Sequence, residues 1–360
     1  KVNAAVRNEV AGQFQQITPV ALQTIFLLYG VFVALKSGNP GAAGAILGIF
    51  YFVPMAVNPI QQIIQFINGL NSAWPQVEQV VEVLEATPEV SDRPGAVDMK
   101  PGSKAIVAED LSFAYVAGGA QVLDHVTLTF PAGKISAIVG RAGSGKSSLL
   151  NLVSRLRDPQ GGRLLLGDQD VRSIRLASLR RQVARVSQFP LYLNDTIRAN
   201  FRLASARAAD AEIEAVCRRT GIWEVLERAA GPGKNPLDYV LPRNVAEGLS
   251  GGQRRLLAVT RALLLKPSIL MLDEPTTGID ALGRAQLAEV LKEACKDCTV
   301  LLVDHSMEFI YRVADQVCCL ENGKFVDVGS PEELSQRPNL FQSLLQASQE
   351  EDQETVSQER

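Results

Sequence analysis

The first part of the chain is distinguished by a near-absence of charge. Between Glu9 and Glu78 the only charged residue is Lys36. Two apolar stretches, at about 14–36 and 42–72, lie on either side of a Ser-Gly-Asn-Pro-Gly turn. A helix of about 20 apolar residues crosses the core of a bilayer, so the pattern predicts an all-α transmembrane helical hairpin. Two buried helices of a soluble domain are the alternative, but such helices rarely stay uncharged over this length.

The second apolar stretch contains features that bear on its shape and continuation. Pro54 and Pro59 predict a kink, because proline lacks the N–H that a helix interior needs. Polar residues beyond the kink are interpreted as a solvated extension, with a substrate path as the alternative. Gln76 to Glu85 again has a helical pattern.

Beyond a Pro- and Gly-containing linker at 87–103, short apolar runs alternate with helical stretches. The runs at 134–139, 268–272 and 299–303 are continuously apolar, as strands buried on both faces should be. This alternation predicts an α/β domain with a mainly parallel sheet. Near the end, Asn322-Gly323 between two apolar runs predicts a β-hairpin.

A last helix and a tail follow the hairpin. Ser330-Pro331-Glu332-Glu333 is a capping box with proline in the first helical position. Residues 347–360 are acidic and Gln-rich, which predicts a disordered tail.

The segment from Gly140 to Ser147 fits the pattern G-x-x-x-x-G-K-[ST] directly after a predicted strand. Its glycines let backbone N–H groups surround phosphates, and the following helix offers its positive N-terminal end. Lys146 is predicted to reach the β- and γ-phosphates, and the Ser147 hydroxyl to hold Mg²⁺. Because about one chain of this length in a hundred has the pattern by chance, it indicates only a P-loop nucleotide binder.

An acidic pair, Asp273-Glu274, ends one of the predicted buried strands. Acidic residues at the carboxyl end of a parallel strand lie at the sheet edge where phosphates bind. Asp273 is predicted to hold Mg²⁺, and Glu274 to orient or deprotonate the attacking water.

The run Leu249-Ser250-Gly251-Gly252-Gln253 is the signature of the ABC ATPases, and the chain resembles that family along its whole soluble part. The resemblance implies an α/β P-loop ABC ATPase domain with a mainly parallel sheet core, an antiparallel β subdomain and a helical subdomain. It also implies four further site residues in chain order. Tyr115 would stack on adenine, Gln188 would contact Mg²⁺ and sense the membrane domain, Asp280 matches the D-loop aspartate, and His305 would contact the γ-phosphate.

In this family the signature completes the ATP site of a facing domain in a head-to-tail dimer. The predicted catalytic residues are Glu274, His305, Gln188 and Lys146, and the predicted Mg²⁺ ligands are Ser147, Gln188 and Asp273. The predicted ATP-binding residues are Tyr115, Gly140, Arg141, Ala142, Gly143, Ser144, Gly145, Lys146, Ser147, Ser148, Gln188, Asp273, Ser250, Gly251, Gly252, Gln253 and Asp280.

The predicted domains are a membrane part at 1–86, the linker at 87–103, the nucleotide-binding domain at 104–346 and the tail at 347–360. The order of membrane part and ATPase resembles half of an ABC exporter, with the hairpin similar to the last two of six helices. A start at Lys1 instead of Met is interpreted as the loss of an N-terminal portion.

Two segments depart from the exporter pattern. Residues 243–248 lack the usual Gly-Glu-x-Gly, which bears on coupling to the membrane domain. The sequence after Asp273, Glu-Pro-Thr-Thr-Gly-Ile-Asp, is closer to importer ATPases. Neither change removes a catalytic group.

Net charge and cysteine spacing bear on whether the chain binds nucleic acid or a metal. The net charge is −3, which does not favour nucleic acid. The five cysteines are predicted to be reduced packing residues of a cytosolic domain, although Cys295 and Cys298 have ligand-like spacing. His125 has no counterpart in the family pattern and is predicted to be structural or exposed.

Together these features predict a multi-pass membrane protein whose cytosolic domain hydrolyses ATP, with Mg²⁺, to drive export of an unidentified substrate. The predicted partners are a second half-transporter, the lipid bilayer and the substrate. A catalytically competent half of a heterodimeric or regulatory complex is the alternative. An ABC ATPase without a transport role is disfavoured by the apolar residues 17–70.

Overall fold

A computed structural model describes residues 24–33, 35–36, 40–102, 104–116, 118–243, 248–294 and 296–347. Residue contacts divide the chain after Thr87 into two units. Residues 14–23 of the first predicted membrane helix, the turn at 37–39 and the tail from 348 onward lie outside the described residues.

The described residues of the first unit are helical except for Ala86 and Thr87. Residues 24–33 and 35–36 belong to helix α1, and helix α2 spans Pro40–Glu85. Helix α2 continues through Pro54, Pro59 and Pro75, so the stretches predicted at 42–72 and 76–85 form one element. Most of its described side chains are exposed. Among the described residues, no helix has an apolar stretch long enough to cross a membrane.

The second unit contains two sheets. The strands are β1 (Ile106–Phe113), β2 (Leu123–Phe130), β3 (Ile135–Val139), β4 (Gly161–Leu166), β5 (Gln169–Asp170), β6 (Val183–Val186), β7 (Ile269–Asp273), β8 (Thr299–Val303), β9 (Gln316–Glu321) and β10 (Lys324–Gly329). The six-stranded sheet has the order β10-β9-β3-β8-β7-β6, and the four-stranded sheet has the order β2-β1-β4-β5. All pairs within the larger sheet are parallel except β9–β10, and the smaller sheet is antiparallel. The predicted mixture of a mainly parallel core and an antiparallel sheet is confirmed.

Helices surround these sheets. They are α3 (Lys146–Val153), α4 (Leu176–Gln182), α5 (Ile197–Arg202), α6 (Asp210–Thr220), α7 (Trp223–Ala230), α8 (Gly251–Leu263), α9 (Ala281–Ala294), α10 (Met307–Val313) and α11 (Pro331–Ser335). Residues 340–347 form a further helix, α12. Short 3₁₀ turns occupy Val171–Ser173 and Pro236–Asp238. Helix α6 contacts α5, α7 and α8.

The large sheet separates two hydrophobic cores. Along β8, Val300 and Leu302 pack into one core, while Leu301 packs into the other. Strands β3 and β7 alternate in the same way. Because both faces are covered, these strands are apolar apart from Ser136, Asp273 and Thr299, which is why the sequence shows nearly continuous apolar runs.

Two local predictions near the end of the chain are confirmed. Strands β9 and β10 pair antiparallel, and the turn between them has φ of 49° at Asn322 and 77° at Gly323. Such positive φ values at both central residues are typical of the tight turn that Asn-Gly favours. Ser330 and Glu333 form the reciprocal capping box at the start of α11.

The predicted linker is packed in the structure. Met99 is buried, and the buried guanidinium of Arg155 donates to the backbone oxygen of Ser91. The backbone N–H of Leu176 donates to the Asp92 carboxylate. These contacts hold residues 91–99 against the rest of the second unit.

Candidate nucleotide-binding site

The loop between β3 and α3 is shaped by glycine. Gly140, Gly143 and Gly145 have φ of 158°, 79° and 109°, so the latter two adopt a backbone that side chains rarely tolerate. A Cβ on Gly140 would lie 2.1 Å from the backbone oxygen of Leu320, and one on Gly145 would lie 2.8 Å from that of Val122. The loop is thus a close-fitting turn that only glycine permits at these points.

Lys146 is buried in this loop and is held by it. Its Nζ donates to the backbone oxygens of Gly140, at 2.6 Å, and Arg141, at 3.0 Å. Burial lowers the pKa of Lys146, and the carboxylates of Glu274 and Asp273 oppose that shift.

The remaining loop residues divide by exposure. Arg141, Ala142, Gly143 and Ser147 are exposed, and Ser144, Gly145 and Ser148 are buried. The Ser144 hydroxyl oxygen is buried without a hydrogen-bond partner in the described part of the chain. A loop of glycines with an ammonium, an unsatisfied hydroxyl and an exposed serine fits a polyphosphate with its divalent cation.

The carboxyl ends of β6, β7 and β8 bring three predicted residues together. The Gln188 side chain donates to one oxygen of Glu274, and His305 Nε2 lies 3.1 Å from the other. Glu274 has φ of 50°, an uncommon conformation for a non-glycine residue that turns its side chain out of the strand direction. The strand order places β3, β8 and β7 side by side, so these groups share an edge with the P-loop.

Asp304 is a site residue that the sequence analysis did not single out. Its carboxylate is buried and accepts from the backbone N–H and hydroxyl of Thr276, at 3.0 and 2.6 Å. It also accepts from the backbone N–H of Ser306 at 2.8 Å. Asp304 therefore joins the loop after Glu274 to the loop that carries His305, and only its position next to His305 could have indicated it.

Asp273 has a cationic neighbour that was also missed. Arg185 on β6 contacts the Asp273 carboxylate at 2.7 Å. The sequence feature that could have indicated Arg185 is its position as the single charged residue in the apolar run Val-Ala-Arg-Val.

Tyr115 lies beside the P-loop helix. Its hydroxyl and the Ser148 hydroxyl are 3.0 Å apart, and its ring packs edge-on against Phe113. Half of the Tyr115 residue surface is exposed, at 50%. The Arg157 guanidinium lies 6.0 Å from the ring centroid. The ring thus combines a fixed orientation with an open surface on which a base could stack.

The signature residues form a separate part of the surface. Ser250 is exposed and caps α8, with Gln253 completing a capping box. Gly251 packs so closely on the loop before α9 that a Cβ would lie 2.7 Å from the Gly278 backbone oxygen. Gly252 packs on Ile279. No hydrogen bond among the described residues links Ser250, Gly251, Gly252 or Gln253 to the P-loop.

Asp280 follows Gly278 and Ile279, and its side chain accepts from the backbone N–H of Gly283 at 2.8 Å. It therefore stabilises the start of α9 next to the signature helix. Of the segment that departs from the exporter pattern, residues 244–247 lie outside the described residues.

The cysteines and the second histidine are not among the predicted site residues. Cys217, Cys298, Cys318 and Cys319 are buried, and burial raises the pKa of Cys217 to about 12 and of Cys319 to about 11. Cys295 lies outside the described residues. His125 is exposed and contacts Asp110.

Comparisons with known proteins match a segment that includes the P-loop and, beyond it, most of the chain. Residues 123–277 match the family model described as ABC transporter. The β-(1→2)glucan export ATP-binding/permease protein NdvA of Rhodopseudomonas palustris is 32% identical over 329 residues, which cover 90% of this chain and 53% of that protein. The ATP-dependent lipid A-core flippase of Desulfotalea psychrophila is 31% identical over 324 residues, covering 90% and 55%. The chain thus spans about half the length of these relatives.

A solved structure shares the fold. A bacterial Atm1-family ABC exporter with ATP bound superposes with a TM-score of 0.69 at 22% identity, over 96% of this chain and 60% of that one.

Proposed function

We propose that this chain is an exporter half of the ABC transporter family, with fused membrane and nucleotide-binding parts, and that it uses ATP hydrolysis to drive export across a membrane. The observation that carries the proposal is the contact of Gln188 and His305 with Glu274 at the sheet edge that holds the P-loop. The relatives' names give different cargoes, a glucan and lipid A-core. We therefore assign no substrate.

In the proposed reaction, the P-loop N–H groups and Lys146 bind the β- and γ-phosphates. Ser147, Asp273 and Gln188 would hold Mg²⁺, which when bound offsets the negative charge of the phosphates. Glu274 orients the attacking water and accepts its proton. Gln188 and His305 hold the Glu274 carboxylate from both sides, and His305 is within reach of a γ-phosphate. Tyr115 stacks on the adenine.

The signature is proposed to act on a second nucleotide-binding domain. The exposed Ser250 and the N–H groups that follow it suit a γ-phosphate, yet they have no bonds to the P-loop of their own chain. A head-to-tail dimer would bring each signature to the P-loop of its partner. ATP would then stabilise the dimer and hydrolysis would release it.

The first unit is proposed to be the C-terminal part of the membrane domain, with a helical hairpin in the bilayer and the ATPase in the cytosol. The low charge of residues 10–77 and the exposed apolar side chains of α2 support this. The two halves would be identical, or this chain would be the competent half of a heterodimer.

The test is the molar mass of the whole chain in detergent micelles, measured by light scattering with and without Mg-ATP. The variant Glu274→Gln is used because it should bind ATP without hydrolysing it. An ATP-dependent doubling of the protein mass supports a homodimer with two composite sites. A variant that binds ATP but stays monomeric contradicts the homodimer and favours a different partner half. A chain that binds no ATP refutes the proposed function.

A further inference from the structure

Arg185 is a charged residue in an otherwise buried apolar strand. Its neighbours on β6, Val183, Ala184 and Val186, are 7%, 5% and 4% exposed. Strand β6 pairs in parallel with β7, and Arg185 lies opposite Met271. Burying a guanidinium costs free energy unless it is paired, so its partners define what it does.

The guanidinium bridges two elements of the nucleotide site. One nitrogen contacts Asp273 Oδ2 at 2.7 Å, and the other donates to Asn151 Oδ1 at 2.7 Å. Asp273 ends β7, and Asn151 lies on α3, the helix that follows the P-loop. The side chains of Arg185 and Asp273 are only 23% and 15% exposed, so solvent screens this ion pair weakly.

We propose that Arg185 is the positioning residue of the divalent-cation site and shares the Asp273 carboxylate with the cation. The inference rests on the proposed function. Arg185 commits Oδ2 of Asp273 and leaves Oδ1 for the cation or its bound water. It also neutralises the carboxylate whenever the cation has left. Through the Asn151 contact it then still links the end of β7 to α3.

A measurable consequence follows from this sharing. In the wild type, a bound cation adds a second positive charge to a carboxylate that is already paired. Without Arg185, the cation is the principal positive partner of a carboxylate that is mostly removed from water. Binding of the cation should therefore stabilise the variant more than the wild type.

The experiment follows thermal unfolding of the full chain in detergent under three conditions: without nucleotide, with ADP and EDTA, and with ADP and Mg²⁺. The cation increment is the difference in Tm between the last two. For Arg185→Met we expect a lower Tm without nucleotide and a cation increment about 2–4 °C larger than in the wild type.

Arg172→Met is the matched control. Arg172 contacts Asp170 at 2.8 Å, and the two side chains are 19% and 24% exposed, so the pair has comparable burial but no contact with the P-loop. Its loss should lower the Tm while the cation increment stays at the wild-type value. Arg185→Lys keeps the charge without the two-pronged contact, and its increment should lie between those of the wild type and Arg185→Met.

The inference is overturned if Arg185→Met and the wild type have equal cation increments, or if Arg172→Met shows the same gain. Should Arg185→Met not fold, an increment of Arg185→Lys at or below the wild-type value overturns it as well. A wild-type chain whose Tm does not respond to ADP with Mg²⁺ would instead refute the proposed nucleotide site, and this inference with it.

Discussion

Two helices of this chain begin at glycine-rich turns, and their surroundings differ. Helix α3 begins after Gly145 with no side-chain cap, and its first residue, Lys146, is buried. Helix α8 begins after an exposed Ser250, which caps the helix and forms a capping box with Gln253. Both starts offer N–H groups suited to phosphate, but only the first has acidic strand ends beside it.

The difference indicates that the two helix starts have different roles. The start of α3 lies at the same sheet edge as Glu274, Gln188 and His305, so nucleotide binding and water activation should be properties of a single domain. The start of α8 has satisfied its local polar groups and remains exposed, so it should matter only when a second domain supplies a phosphate. Substitutions at the two helix starts should therefore have separable effects, on ATP hydrolysis at α3 and on pairing of two domains at α8.

Glu274→Gln should have the largest effect, on the α3 side. The amide retains the size of the side chain but cannot accept the proton of the attacking water, so we expect turnover to fall by at least about 100-fold. Phosphate release measures turnover, and fluorescent ATP binding should stay near wild type. Glu289→Gln, at a side chain that is 69% exposed, is the control and should keep wild-type turnover. Near-normal hydrolysis by Glu274→Gln would refute the assignment of the base.

Asp304→Asn should come next. The neutral amide cannot accept all three hydrogen bonds from Thr276 and Ser306, so we expect a loss of about 1–3 kcal/mol in the free energy of unfolding. Urea denaturation measures the loss. Combination with Thr276→Val in a double-mutant cycle isolates the contact. If the two losses simply add, Asp304 does not act through Thr276.

Ser250→Ala addresses the α8 side and is paired with Ser330→Ala. Both serines cap a helix through a capping box, so each substitution should cost about 1 kcal/mol of stability. Only Ser250→Ala should also weaken the ATP-dependent doubling of mass, because only that hydroxyl is proposed to meet a partner's phosphate. Equal weakening by both variants would mean that stability alone controls pairing.

The smallest effect is expected at His125, which lies at neither of the two helix starts. Its hydrogen bond to Asp110 raises the pKa of the imidazole. The pair therefore stabilises the fold fully below the ordinary histidine pKa of about 6.5 and loses that contribution as the pH rises through the raised value. NMR titration of His125 should show its pKa fall in Asp110→Asn. An unchanged His125 pKa would remove Asp110 as the cause.

The local sequence was sufficient for some elements of the second unit. The predicted apolar runs became β3, β7 and β8, because a strand covered on both faces is mostly apolar. The Asn-Gly turn and the Ser330 capping box formed as predicted, since each depends on residues within four positions of one another. Helix α2 was predicted less well, because the pattern around Pro75 does not show that the helix continues to Glu85.

By itself, then, the sequence determined which residues are proposed to carry the chemistry, because the P-loop, Asp273-Glu274 and the signature are contiguous motifs. Only the tertiary structure decided which of them meet. Gln188 and His305 reach Glu274 from 86 and 31 residues away, and Arg185 reaches Asp273 across 88. Those contacts depend on the strand order β3-β8-β7-β6, which arises from long-range packing that no local pattern encodes.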